Sequence, residues 1–298
     1  MSPLIFQMMP ARFGIFASLL VSVSILAACA APPTAASPAP VSSASTEANV
    51  SAAPKSVPEA ATLTVFAAAS LQDAFGEIGK NFEAAQAGTT VAFNFAGSQQ
   101  LAQQLSQGAP ADVFASANNT QMNAAVTAGR VVSGTAQTFV RNRLVVVVPT
   151  NNPAQLKTLQ DLAKPGLKLV LAAQAVPVGQ YALDFLGKAT ADPAFGSTYS
   201  QTMLANVVSY EDNVRAVLTK VALGEADAGI IYSSDVTPEV AGQVTQLPIP
   251  DVLNTLATYP IATVQDSQQA DLAAKFVAYV LSDEGQKVLA QHGFMPIN

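Results

Sequence analysis

Two serines occupy the same place in a repeated pattern. In Ala67-Ala68-Ala69-Ser70-Leu71, and again in Phe95-Ala96-Gly97-Ser98-Gln99, a β-branched or aromatic run gives way to small residues and then to a serine where a helical pattern begins. Serine suits the N-cap, where its oxygen accepts from free helix amides. The same free N–H groups, with the positive end of the helix dipole, suit an anion. Three other segments have related character. Val176-Pro177-Val178-Gly179-Gln180 is a small-residue entry into a helix. Glu211-Asp212-Asn213-Val214-Arg215 opens another, with Glu211 or Asp212 expected to cap it and Glu211 spaced i,i+4 from Arg215. Tyr232 ends the apolar run Gly229-Ile230-Ile231-Tyr232. Singly, each reads as ordinary capping or as a core aromatic.

Composition narrows the remaining chemistry. The chain has 298 residues, half of them apolar, and 14 Lys+Arg against 20 Asp+Glu give a formal net charge of −6. A net acidic chain without a basic run is a poor nucleic-acid binder. One histidine (His292) and one cysteine (Cys29) leave no Cys/His zinc site and no intrachain disulfide framework. Neither Gly-x-Gly-x-x-Gly nor a Gly-x-x-x-x-Gly-Lys phosphate loop is present. No cofactor is called for.

The elements that must hold these residues follow from periodicity. Strands are expected at Thr62–Ala67, Thr90–Phe95, Asp112–Ala115, Leu144–Val148, Leu167–Ala172 and Ala228–Tyr232. Helices are expected at Ser70–Ala85, Ser98–Gln107, Asn118–Ala128, Gly179–Ala189, Glu211–Leu223, Gln268–Leu281 and Asp283–Gln291. This alternation argues for α/β layers with mostly parallel sheets, in which both serines would lie at the carboxyl ends of strands, where ligands bind.

The amino-terminal part reads differently. Arg12 precedes an apolar run from Phe13 to Ala27, shorter than the roughly 20 residues of a membrane-spanning helix. The run ends in Leu26-Ala27-Ala28-Cys29, which resembles a bacterial lipobox. That resemblance implies a signal peptide over residues 1–28, cleaved before Cys29, and lipid attached to the Cys29 sulfur. Of the 32 residues from 30 to 61, 25 are Ala, Pro, Ser or Thr, so residues 29–61 read as a lipid-anchored, disordered linker. The expected location is outside the cell membrane, or on the periplasmic side in a two-membrane host.

The order of the segments resembles one family, the molybdate-binding proteins of bacterial ABC importers. The resemblance runs over VFAAASLQDAF (65–75), FAGSQQLAQQL (95–105), GAPADVFASAN (108–118), RLVVVVP (143–149), VPVGQYA (176–182), EDNVRAVL (211–218), GEADAGIIYSSD (224–235), YPIA (259–262) and the terminal GFMPI. It implies a two-lobed periplasmic-binding-protein fold (type II), each lobe a mostly parallel sheet flanked by helices, with the ligand in the interlobe cleft. Lobe 1 would be 62–141 plus 260–298, and lobe 2 would be 142–259. Molybdate or tungstate would be held by the Ser70 and Ser98 hydroxyls with their neighbouring amides, the N–H groups at Val178 and Val214 (or a neighbour one position away), and the Tyr232 phenol. Molybdenum would thus be bound as its oxyanion and not by metal-ligating side chains. The partners implied are an ABC permease and, through Cys29, a membrane, with the protein acting as a monomer and not as an enzyme. Rival readings are a site for another tetrahedral oxyanion such as sulfate, or for a small organic acid. A more remote one is a serine hydrolase using Ser70 or Ser98 with His292 as base. A carboxylate binder would present an arginine clamp, and Arg215, the only cation near a candidate segment, has Asp212 and Glu211 as its expected partners.

Overall fold

A computed structural model describes residues 60–297 of the chain. The expected signal peptide, nearly all of the linker and the lipidation at Cys29 lie outside the described residues. The described chain opens with β1 (Ala61–Ala68), a 3₁₀ turn (Ala69–Leu71), α1 (Gln72–Ala85), β2 (Thr89–Ala96), α2 (Ser98–Ser106), β3 (Val113–Ala115), α3 (Asn119–Thr127) and β4 (Gln137–Asn142). After Arg143 come β5 (Leu144–Pro149), a 3₁₀ segment (Leu159–Ala163), β6 (Leu169–Ala172), α4 (Pro177–Ala191), α5 (Tyr199–Ala205), β7 (Val207–Glu211) and α6 (Val214–Ala222). The rest is β8 (Ala228–Tyr232), a 3₁₀ turn (Ser233–Asp235), β9 (Val244–Pro248), β10 (Ala257–Thr263), α7 (Ala270–Leu281), α8 (Asp283–Gln291) and β11 (Met295–Pro296).

The strands form two sheets, each with its own helices. The first has the order β11-β4-β10-β3-β1-β2 and the second β7-β6-β8-β5-β9. Parallel pairing is confined to β2-β1-β3 and β7-β6-β8; strands β4, β10 and β11 of the first sheet, and β5 and β9 of the second, pair antiparallel with their neighbours. The sheets are therefore mixed, where the sequence reading expected them to be mostly parallel. The first chain crossing is at Arg143. The second runs through residues 249–256, a little earlier than the sequence reading placed it. Ala257, Thr258 and Tyr259 pair with Asn142, Arg141 and Val140 in the first sheet.

Alternation along β1 explains why it is central. Leu63, Val65 and Ala67 join the core beneath α1, while Phe66 faces the other way and packs with Leu101, Leu105, Phe114 and Met122. Helix α1 turns Phe75, Ile78 and Phe82 inward. Phe82 and Phe75 meet Phe276 of α7 edge-on, with ring centroids 5.2 and 6.0 Å apart. In the second sheet, Val145–Val148 and Ile230 are buried among α4 and α6.

One close approach seats a helix that matters below. A Cβ added at Gly179 would come closer than 3.0 Å to the carbonyl oxygens of Ala172 and Ala173, backbone atoms at the end of β6. Helix α4 can start against that strand only because residue 179 has no side chain. Gly179→Ala should therefore push α4 away from β6 and destabilise the fold by roughly 1–3 kcal/mol. Urea denaturation checks this; an unchanged midpoint would mean that the contact is not close-packed.

Candidate functional site

The parallel registers bring the singled-out residues together. Ala68 at the end of β1 lies opposite Ala96 at the end of β2, so Ser70 and Ser98 each follow two residues beyond a paired position. In the second sheet, β6 leads to Val178 at the start of α4, β7 to Val214 at the start of α6, and β8 ends at Tyr232. All five are carboxyl-end positions of parallel strands. They line one small cavity between the two sheets, together with Ala68, Ala69, Ala96, Gly97, Ala117, Val176, Pro177 and Asn213.

Neither serine caps a helix, contrary to the sequence reading. Ser70 lies inside the 3₁₀ turn that precedes α1, and its Oγ is 3.0 Å from the Tyr259 hydroxyl. Tyr259 also receives the Asn142 amide at 3.5 Å. Either hydroxyl can be the donor of the Ser70–Tyr259 pair; with Tyr259 donating, the Ser70 proton is free to face the cavity. Ser98 is the first residue of α2, whose cap position is Gly97, and its Oγ accepts the Ala117 N–H at 3.0 Å. Its proton, too, is free to donate. Sequence reasoning missed Tyr259 as the support of Ser70; it had taken Tyr259-Pro260 only as part of a motif and a chain crossing.

The second sheet supplies amides and a phenol. Helix α4 has Val176 at its cap and Pro177, which lacks an N–H, at its first position. The Val178 N–H is thus the first donor of that helix. Helix α6 is capped by Asn213, whose side chain accepts from Ala216 N at 3.1 Å, leaving the Val214 N–H without an intrahelical partner. Glu211 and Asp212 do not cap α6: Glu211 closes β7 and pairs with Lys220 at 2.5 Å. Tyr232 is 1% exposed, and its hydroxyl has no hydrogen-bond partner among the described residues. Burial pushes the phenols of Tyr232 and Tyr259 above their ordinary range, so both stay protonated near neutral pH.

Contacts at the rim join the two lobes. Gln99 Nε2 donates to the Asp212 carbonyl at 2.7 Å and Gln121 Nε2 to the Ala175 carbonyl at 3.0 Å. A Cβ on Gly97 would lie closer than 3.0 Å to that Asp212 carbonyl, so this glycine permits the approach. Arg215 pairs with Asp73 of α1 and faces Asp235, and not Glu211 or Asp212. His292 lies at the end of α8, 2.9 Å from Glu77, and does not line the cavity. The hydrolase arrangement is thus not assembled around either serine. Among the described residues no group of three His, Cys, Asp or Glu is placed to hold a metal ion, and no helix is long and apolar enough to cross a membrane.

Two lobes closing on a cavity lined by hydrogen-bond donors describe a solute-binding protein with the type II periplasmic-binding-protein fold. The chain belongs to the bacterial extracellular solute-binding proteins, whose family model matches residues 63–295. It is similar to the molybdate-binding protein ModA of Mycobacterium tuberculosis, 40% identical over 235 residues that cover 79% of this chain and 85% of that protein. It is also 32% identical over 238 residues to ModA of Escherichia coli, covering 78% and 88% of the two chains. The Azotobacter vinelandii periplasmic molybdate-binding protein shares the fold at 17% identity, with a TM-score of 0.67 over 79% of this chain and 100% of that one.

Asp235 gives a prediction that needs no ligand. It is fully buried, and burial pushes its carboxyl up to about 7 against the pull of Arg215. The folded value lies above the ordinary 3.8, so this group's contribution to stability is complete below about pH 4 and is lost as pH rises through 7. Thermal melts from pH 4 to 8 should show stability falling with pH across that window more steeply for wild type than for Asp235→Asn. Parallel curves would contradict the assignment.

Proposed function

We propose that this protein captures molybdate, and tungstate equally, in the cavity between its lobes and delivers it to an ABC permease. In this reading Ser70 and Ser98 donate their hydroxyl protons, Val178 and Val214 their amides, and Tyr232 its phenol. The protein binds and does not catalyse. It works outside the cell membrane, tethered by lipid on Cys29 through the Ala/Pro/Ser-rich linker. The observation that carries the reading is the Tyr232 hydroxyl, buried and unpartnered, on a residue that lines the same cavity as Ser70, Ser98, Val178 and Val214. A buried hydroxyl without a partner is unfavourable, and an anion accepting from it removes the penalty.

The energetics suit a dianion held without a formal cation. Hydrogen bonds to a charged group contribute roughly 1.5–3 kcal/mol each, so five at about 2 kcal/mol reach about 10 kcal/mol, a dissociation constant between about a micromolar and a nanomolar. The starts of α2, α4 and α6 all border the cavity and add their dipoles. A shell turned to donate also selects. Phosphate is partly protonated near neutral pH, and receiving its proton would require a hydroxyl of the site to turn from donating to accepting. Molybdate, tungstate and sulfate are fully deprotonated and escape that penalty, so discrimination among them has to come from fit to the site.

Calorimetric titration with molybdate, tungstate, sulfate and phosphate tests this. Molybdate and tungstate should bind alike, with sulfate and phosphate much weaker; equal sulfate affinity would sink the assignment. Tyr232→Phe should weaken molybdate binding by roughly 1–3 kcal/mol. Because the substitution severs no intramolecular hydrogen bond and removes a buried hydroxyl without a partner, the ligand-free protein should be no less stable than wild type. An unchanged titration for this variant would remove the phenol from the site.

A further inference from the structure

Arg215 stands behind the cavity without lining it. Its Nη2 donates to Asp73 Oδ2 at 2.6 Å, from α6 of the second lobe to α1 of the first. Its Nε lies 3.2 Å from Asp235 Oδ1, as an ion pair and not as an aligned hydrogen bond. Asp235 in turn accepts the Tyr232 N–H through Oδ2 at 3.1 Å. In the chain, Asp73 follows Ser70 by three positions and Arg215 follows Val214 directly. One guanidinium therefore ties together the elements that carry Ser70, Val214 and Tyr232.

We propose that Arg215 is a positioning residue whose ion pair with Asp73 latches the closed lobes and sets the rate at which the anion leaves. This rests on the anion-binding reading above. The Arg215–Asp235 contact lies within the second lobe, so opening leaves it intact. The Arg215–Asp73 contact spans the lobes, so opening breaks it. A contact present only in the closed form shifts the equilibrium toward that form and slows release without touching the ligand. The side chains are 23% and 36% exposed, so the pair is partly shielded and still open to added salt. Flanked by two carboxylates, the guanidinium acts as a tie and brings little net positive charge to the neutral cavity.

The test is the release of radiolabelled molybdate under an excess of unlabelled molybdate. Asp73→Asn should release it about fivefold faster than wild type, the size expected for a partly exposed pair. Asp73→Glu, which keeps the charge, should restore most of the retention. The melting temperature of ligand-free Asp73→Asn should equal that of wild type. Raising the salt concentration should speed release from wild type and leave Asp73→Asn unaffected, an arm that also judges the latch through its wild-type response if the variant folds poorly. Equal release rates, or a wild-type rate indifferent to salt, would overturn the latch. So would an equal loss of stability in the ligand-free variant, because the ion pair would then exist in the open form too. A wild-type protein that takes up no molybdate would overturn the binding assignment itself, a failure separate from an unchanged release rate.

Discussion

The parallel register of β1 and β2 is the constraint on which the candidate site depends. Because Ala68 lies opposite Ala96, the two turns that follow leave the sheet side by side, and their serines share one wall. Strands β6, β7 and β8 repeat the arrangement in the second sheet, with Ala172 level with Glu211. A one-residue slip in either sheet would turn alternate side chains to the opposite face and separate the turns. The buried faces on both sides of β1 hold the register. Leu63 and Val65 are committed to one core and Phe66 to the other, so slippage would place each in the wrong layer.

Around that frame, a second set of polar groups holds the two serine hydroxyls. Asn142 and Tyr259 lie in the two strands that cross between lobes, β4 and β10, and Tyr259 holds the Ser70 hydroxyl. The Ala117 amide, just past β3, does the same for Ser98. Each serine hydroxyl is thus anchored by one partner, and the Ser98 proton is free to donate. The hinge and the site are therefore one hydrogen-bonded unit: Asn142 also donates to Ser234, in the turn directly after Tyr232. A change in how the strands cross is felt at the cavity wall.

Much of this was legible in the sequence, for reasons that differ by element. Strands β1, β2, β5 and β8 are rich in β-branched and aromatic residues and stood out, and α8 follows Asp283–Gln291 as expected because Ser282 caps it. The five candidate positions, which line one cavity, were read from repeated strand-to-helix junctions and from the order of their motifs. Strands β4, β7, β9 and β10 escaped notice. β9 is a polar edge strand, and β10 contains Pro260, where the pairing shifts register because proline has no N–H to give. The partners of Arg215 were misread because helix spacing favours near neighbours, whereas tertiary packing brought Asp73 from 142 residues away. Local pattern reveals junctions; it does not reveal what closes over them.

Charge distribution completes the physical picture. The chain is acidic overall, so a long-range field cannot draw in an anion, and attraction has to act at short range. Helix starts and buried hydroxyls do so, because their dipoles are strongest within a few ångströms and are not weakened by water once the lobes meet. A bare cation in the cavity would bind more tightly but would favour any anion of the right size, protonated or not. Arg215 is held back from that role: Asp73 and Asp235 claim its guanidinium outside the cavity wall. The guanidinium is engaged between the lobes, which leaves recognition in the proposed site to groups that carry no charge.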